Sequence, residues 1–202
     1  GVILTVAKFA VGAGLGILVN KLWGINGLWG LSPLAVIGAI TNSNGGLYAA
    51  LSGNYGDSTD VGAVSILSIN DGPFLTMVAM GVSGIATIPF MVLVGCVAPI
   101  VVGLILGNLD EDIRKFTEPG ATMLIPFFAF PLGAGLNFSQ LITAGLSGIL
   151  LGVICCLSTG LVGYLCMRLI RSKHPECGAA IGTTAGNAAG TPAALAEADP
   201  TL

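Results

Sequence analysis

The chain has 202 residues, 54% of them hydrophobic and only 8% charged, with a mean hydropathy of +0.93 and a formal net charge of −3. A soluble domain carries about 25% charged residues, so a water-facing surface cannot be covered here, and the lack of a basic stripe excludes a nucleic-acid partner. Thirty-one glycines in so apolar a background point to close helix packing in lipid.

Windows of about 20 residues give seven expected crossings, at 2–19, 32–52, 61–83, 86–107, 121–138, 141–167 and 178–197. The first carries Lys8 six residues in; its ammonium is expected to snorkel to the near interface, with a functional charge as the alternative. Gly12 and Gly16 are spaced for close helix contact, as are Gly103/Gly107, Gly148/Gly152 and Gly182/Gly186/Gly190. Gly12-Ala13-Gly14-Leu15-Gly16 lacks the strand-then-helix context of a nucleotide loop. The loop 20–31 holds Trp23 and Trp29, the residues of an interfacial belt.

The second crossing is broken at its middle by Thr41-Asn42-Ser43-Asn44-Gly45-Gly46-Leu47-Tyr48-Ala49-Ala50-Leu51. The seventh is broken by a matching run, Thr184-Ala185-Gly186-Asn187-Ala188-Ala189-Gly190-Thr191-Pro192-Ala193-Ala194-Leu195. Both read Thr-x-x-Asn, then small residues, then Ala-Ala-Leu. Backbone that leaves the helix inside a bilayer survives only where it lines a protein-enclosed cavity. A matched pair of such interruptions points to a transporter's binding site. Thr41, Asn42, Asn44, Gly45 and Gly46 from the first run, and Thr184, Asn187 and Thr191 from the second, are therefore candidate ligand groups. Interhelical hydrogen bonding is the competing role for these amides and hydroxyls.

In the third crossing Asp71 stands near mid-span within Ser68-Ile69-Asn70-Asp71-Gly72-Pro73. An ionisable group there costs about 2.5–3.5 kcal/mol on insertion scales, so it normally serves an ion, a proton or a substrate. A structural alternative is a cap on a helix half restarting at Gly72-Pro73. Asn70 and Asp71 join the candidate site. Gly53-Asn54-Tyr55-Gly56-Asp57 resembles the intramembrane aspartyl protease motif but is one residue too long, and a solvated turn through Ser58, Thr59 and Asp60 is expected. Pro126 and Pro131 predict a kink in the fifth crossing.

Five cysteines, an odd number, are no disulfide framework. Cys96, Cys155, Cys156 and Cys166 are expected as packing residues. His174 and Cys177 lack a second ligand pair, so neither a metal nor a cofactor is expected. Glu197 and Asp199 mark an interface or an entrance.

The loop charges test the count. Arg114, Lys115, Arg168, Arg171 and Lys173 fall on one side with loop 53–60, and only Lys21 on the other, which places the basic side in the cytoplasm. The chain starts inside an apolar run at Gly1, without an initiator Met or a basic leader, and reads as a piece of a longer membrane protein.

Asn44-Gly45-Gly46-Leu47-Tyr48-Ala49, Gly72-Pro73 with Thr76-Met77, Leu106-Gly107-Asn108-Leu109-Asp110, Leu124-Ile125-Pro126-Phe127-Phe128-Ala129-Phe130 and Gly145-Leu146-Ser147-Gly148-Ile149-Leu150-Leu151-Gly152-Val153 run through essentially the whole chain. Together they resemble the bacterial 2-keto-3-deoxygluconate permeases. The resemblance implies a multi-pass importer of a sugar acid by proton symport in the bacterial cytoplasmic membrane. It implies an all-α polytopic membrane protein, an inverted-repeat secondary transporter with two discontinuous crossing helices, like sodium/proton antiporters or bile-acid symporters. This chain would hold crossings three to nine of about ten as one incomplete transporter domain over 1–202, with 1–83 the remainder of the first repeat and 86–202 most of the second. At Thr41 and Asn70 the chain lacks acids that the family pattern places there, although Asp71 adjoins the second.

The expected partners are a small organic acid, protons and membrane lipid; a homo-oligomer is compatible with the sequence. The alternative reading keeps the architecture but moves another small organic anion or couples to sodium. An intramembrane enzyme would need a nucleophile–base pair or two facing acids, and a scaffold would have no use for Asp71 at depth.

Overall fold

The computed structural model describes residues 1–134 and 138–200, leaving aside the side chains of Asn187 and of some residues between 121 and 144. Helices account for nearly all of its regular structure; the one β-bridge among the described residues joins Leu28 to Leu31. The elements are α1 (Val2–Trp23), α2 (Pro33–Thr41), α3 (Gly45–Tyr55), α4 (Ser58–Gly62) and α5 (Val64–Leu67), followed by a 3-10 turn over Ser68–Asp71 and α6 (Phe74–Val82). Then come α7 (Phe90–Leu109), α8 (Glu111–Thr117), α9 (Gly120–Met123), α10 (Ile125–Ala134), α11 (Phe138–Leu169) and α12 (Glu176–Ala179). A 3-10 turn over Gly186–Gly190 leads into α13 (Thr191–Ala198).

Seven crossings were expected, two of them broken at mid-span, and helix length and composition single out fewer among the described residues. Three helical stretches are long and apolar enough to cross a membrane, Val2–Trp23, Phe90–Leu109 and Gly145–Leu169, or four if Ser58–Asp71 and Phe74–Val82, bent by 58°, form one span. The cause is local. The stretches at 32–52 and 178–197 fold as half-helices, each too short to cross alone, around backbone that carries Gly, Asn and Pro. The stretch at 121–138 divides into α9 and α10, and residues 135–137 lie outside the described part. The protein is a multi-pass membrane protein, all-helical, with three to four candidate spans.

The core forms where α1 packs against α2. Leu4, Thr5, Lys8, Gly12 and Gly16 make one buried stripe along α1, a four-residue rhythm that keeps them on a single helix face. A Cβ on Gly12 would come within 3.1 Å of the Thr41 amide nitrogen, and one on Gly16 within 2.7 Å of Ile37 Cδ1. The two glycines therefore set the depth at which α1 beds onto α2. Around this pair lie three apolar clusters, centred on Ile37, Met77, Met80 and Leu195, on Leu4, Tyr48, Leu67 and Ile181, and on Leu31, Val36, Ile40 and Cys155. α11 meets the segment around α12 through facing glycines, Gly163 against Gly178 and Gly160 against Gly182. In contrast, a Cβ on Gly103, Gly107, Gly148 or Gly152 would find nothing within 4 Å. Those spacings, read as packing motifs, face open space, and α7 buries no residue at all. Cys156, expected as a packing residue, is exposed on α11, whereas Cys155 is buried.

Three contacts fix which loops share a side. Ser147 donates to the Trp29 carbonyl at 2.6 Å, so loop 20–31 meets the first half of α11. The Thr87 amide donates to Asp199 Oδ2 at 2.7 Å, closing the end of α13 onto loop 83–89; Asp199 is buried there, and only Glu197 is exposed as an interfacial acid would be. At the opposite end Cys177 Sγ and Asp60 Oδ2 both lie 2.6 Å from where a Gly56 Cβ would sit. Loop 53–60 thus meets loop 168–177.

Candidate functional site

The chain leaves helical geometry at three places that converge. α2 starts on a Ser32 cap with Pro33 in its first turn and ends at Thr41; Asn42 is extended, and the Asn44 side chain caps α3 by accepting from the Leu47 amide at 2.9 Å. The unwound stretch is therefore Asn42-Ser43-Asn44, and Gly45 and Gly46 already belong to α3. The second break is Gly72-Pro73, at the 58° bend between the two halves of the third stretch. The third runs from Ala180 to Ala185, between α12 and the 3-10 turn that holds Asn187.

Hydrogen bonds knit the breaks together. The Ser43 amide donates to the Asn70 carbonyl at 3.1 Å, and the Asn44 amide donates to Thr183 Oγ1 at 3.3 Å. The Asp71 carboxylate accepts from the Gly45 amide, and a Cβ on Gly45 would come within 2.6 Å of Asp71 Oδ2. The expected alternative for Asp71, a cap on the restarting helix, is corrected here: α6 has no side-chain cap. Asp71 instead meets the first turn of α3, where free amides and the helix dipole favour negative charge.

Lys8 also departs from expectation. Its ammonium does not snorkel to an interface. The residue is fully buried, and Nζ donates to the Ile181 carbonyl at 2.7 Å and to the Thr183 carbonyl. Those carbonyls belong to the third break and have left their helical partners, so a cation satisfies them. Lys8 and Asp71 also act on each other electrostatically. Cys155 on α11 approaches the Ala39 and Thr183 carbonyls, and Thr159 bonds the Ile181 carbonyl at 3.2 Å.

Behind the breaks, Thr41 Oγ1 lies 2.7 Å from the Ile37 carbonyl and 2.7 Å from Thr76 Oγ1. A hydroxyl has one proton; with Thr41 donating to Ile37, Thr76 donates to Thr41 and accepts from Asn42 Nδ2 at 3.3 Å. Asn42 Nδ2 also reaches the Gly38 carbonyl at 2.7 Å. Among the described residues, six buried polar atoms have no protein partner: Thr5 Oγ1, Asn42 Oδ1, Ser43 Oγ, Asn70 Nδ2, Asn70 Oδ1 and Asp71 Oδ1. Buried polar groups are almost always satisfied, so five orphans on the two adjoining breaks mark a place where a ligand would supply the missing bonds.

Of the residues expected at the site, Thr41, Asn42, Asn44, Gly45, Asn70 and Asp71 come together. Gly46 is exposed on α3, and Thr184 is exposed, its neighbour Thr183 making the contact instead. Thr191 is buried at the start of α13, its methyl 3.9 Å from where a Gly38 Cβ would lie. The side chain of Asn187 lies outside the described part. Ser43, Thr76 and Thr183 were not anticipated, and for Lys8 a functional charge was only the alternative expectation. For Lys8 a signal existed: it stands one helical turn from Gly12 and two from Gly16, on the face those glycines mark as buried.

The loop at 53–60 brings two carboxylates close to His174. Asp57, Asp60 and His174 bring donor atoms within 4.8 Å of one another. Each has its own structural partner. Asp57 caps α4 through the Thr59 and Asp60 amides, Asp60 Oδ2 returns the bond to the Asp57 amide, and His174 Nδ1 lies 3.6 Å from Glu176. The Asp60 and Thr59 amides hold the Asp57 carboxyl below its ordinary value of 3.8, while burial pushes the Cys177 thiol up from 9.0.

A family model described as "KdgT: 2-keto-3-deoxygluconate permease" matches residues 1–202. The chain is 52% identical over 199 residues to 2-keto-3-deoxygluconate permease 1 of Salmonella typhimurium, covering 98% of this chain and 62% of that protein. It is 40% identical over 204 residues to the 2-keto-3-deoxygluconate permease of Bacillus subtilis, covering 98% and 62%. With the permease of Xanthomonas euvesicatoria it shares 41% identity over 202 residues, covering 98% and 64%. The chain thus spans somewhat under two thirds of the length of these relatives. No solved structure matches it.

Proposed function

The chain belongs to the 2-keto-3-deoxygluconate permease family, and from that membership we propose that it is part of a secondary transporter importing 2-keto-3-deoxygluconate, or a closely related sugar acid, by proton symport. The observation that carries the mechanism is the convergence of the backbone breaks on Asp71, whose Oδ1 is buried without a partner. In this reading Asp71 takes up and releases the transported proton. Thr41, Asn42, Asn44, Gly45 and Asn70 contact the cargo, with Asn187 and Thr191 contributed by the matching run.

The architecture that goes with this function is an inverted repeat, with 1–83 as the remainder of the first half, 86–202 as most of the second, and the breaks at 42–44 and 180–190 as counterparts. The matching Thr-x-x-Asn and Ala-Ala-Leu runs support it. The membrane is then the bacterial cytoplasmic membrane, with loops 53–60, 108–120 and 168–177 on the cytoplasmic side.

A second reading rests on a specific feature. Asn42 Oδ1, Ser43 Oγ, Asn70 Oδ1 and Asp71 Oδ1 are unpartnered oxygens, the donor type that hard cations prefer, so sodium in place of the proton is the alternative coupling ion.

The test is uptake of labelled 2-keto-3-deoxygluconate into vesicles carrying the intact permease, under an imposed pH gradient and then a sodium gradient. Accumulation that follows the pH gradient, lost in Asp71→Asn while exchange of labelled for unlabelled substrate persists, is the expected result. Undiminished accumulation in Asp71→Asn removes Asp71 as the proton site, and accumulation driven by sodium alone favours the second reading.

A further inference from the structure

Lys8 is a cost that helix packing alone does not explain. A buried ammonium without compensation is expensive, and small polar side chains could satisfy two freed carbonyls without carrying charge. The ammonium has three donors; two go to Ile181 and Thr183. The ammonium bonds the Thr183 carbonyl, Thr183 Oγ1 accepts from the Asn44 amide, and the adjoining Gly45 meets Asp71, so Lys8 and Asp71 are the charged groups at the breaks, with the buried Cys155 thiol near the same Thr183 carbonyl. Lys8 and Asp71 therefore form a neutral pair held apart, the ammonium on the third break and the carboxylate on the first turn of α3.

Charge balance then decides what can enter. A monocarboxylate added to this pair leaves one uncompensated negative charge in a medium of low dielectric constant, where such a charge is strongly disfavoured. A proton on Asp71 restores neutrality. We propose that Lys8 is the counter-charge of the transported carboxylate, and that its fixed positive charge obliges one proton to join Asp71 for each anion carried. The unpartnered oxygens and amide of Asn42, Ser43 and Asn70 face the uncharged hydroxyl and keto groups of the same cargo. The empty carrier (ammonium with carboxylate) and the loaded carrier (ammonium, neutral Asp71 and bound anion) both cross with zero net charge at the site. This deepens the transport reading above and rests on it.

The test compares wild-type permease, Lys8→Gln and Lys8→Arg, each intact, purified and titrated with 2-keto-3-deoxygluconate and with its uncharged primary amide. The expected result is that Lys8→Gln weakens the carboxylate by about 30-fold or more, the scale of losing one partner of a buried charge pair. The amide changes by no more than a few-fold, and Lys8→Arg regains much of the preference for the acid. Equal loss of both probes in Lys8→Gln overturns the proposal in favour of a purely structural lysine, and so does undiminished affinity for the acid. Should Lys8→Gln fail to fold, the wild type alone still decides. Steady-state accumulation in vesicles must respond to the pH gradient and be indifferent to an imposed membrane potential, and accumulation that follows the potential overturns the one-proton balance. A wild type that ignores 2-keto-3-deoxygluconate defeats only the substrate assignment; the same comparison is then run with a monocarboxylate it does accumulate.

Discussion

The Asp71 carboxylate sits on the Gly45 amide, so the bend in one stretch closes the start of the half-helix in another. There is no room between them. A methyl on Gly45 would meet Asp71 Oδ2 at 2.6 Å and Val64 Cγ2 at 3.3 Å. Gly45→Ala is expected to push the carboxylate off the helix terminus, to cost about 1–3 kcal/mol in the manner of overpacking, and to cut uptake severely. Gly46→Ala, whose Cβ meets nothing nearer than Asn44 Oδ1 at 3.5 Å, is the control. Thermal unfolding in detergent and uptake measured on both variants check the contrast, and equal behaviour of the two would remove Gly45 as the seat of Asp71.

The glycines of α11 and α12 are not equivalent. At Gly178 a Cβ would run into the Gly163 carbonyl group, with Met167 Cγ at 2.7 Å, whereas Gly148 has nothing within 4 Å. Gly178→Ala is therefore expected to lower the unfolding temperature markedly through a clash of about 1–3 kcal/mol or more. Gly148→Ala gains helix propensity on the order of 0.5–1 kcal/mol and holds or raises it. Melting curves of the two single variants against wild type decide.

Acid should weaken the loop that joins α3 to α4. Asp57 is held below its ordinary value of 3.8 by the Asp60 amide first and the Thr59 amide second. A carboxyl depressed in the folded state contributes stability above its unfolded value, and that contribution drains away as pH falls through the folded one. The window thus lies below about pH 4. In melts between pH 5 and pH 3, wild type is expected to lose stability to acid more steeply than Asp57→Asn, which lacks the titrating group. Parallel slopes would mean that the cap at α4 adds nothing.

Much of the site was legible because it is built from residues that break helices. Asn42, Asn44, Gly72 and Pro73 announce departures from helical geometry in a background otherwise suited to it, and an acid such as Asp71 at that depth is conspicuous in any apolar window. What escaped was whatever depends on the approach of distant segments. Lys8 lies near the start of a long apolar helix, and a hydropathy window treats such a charge as belonging to the interface. Its burial follows from carbonyls more than 170 residues away. The role of Thr183 was assigned one residue late, to Thr184, because the aligned runs register the repeat and not which hydroxyl turns inward. The number of unbroken helices was less legible for a related reason. A window sums hydropathy through a break, whereas Asn42-Ser43-Asn44 divides its stretch into two short helices. The spacing of Gly148 and Gly152 matched Gly12 and Gly16, but only the latter pair has a backbone neighbour; a spacing shows that a close approach is allowed, and another helix must make it.

The ties between the breaks run through the main chain at one end or both: Ser43 to Asn70, Asn44 to Thr183, Gly45 to Asp71, and Lys8 to Ile181 and Thr183. Peptide groups are the same whatever residue carries them. The joint that gathers the breaks is therefore largely independent of the unpartnered side-chain atoms of Asn42, Ser43 and Asn70. Under the transport reading proposed above, the Asn70 side chain, which makes none of these ties, can change while the joint stays in place, so preference and architecture are free to diverge separately among related carriers.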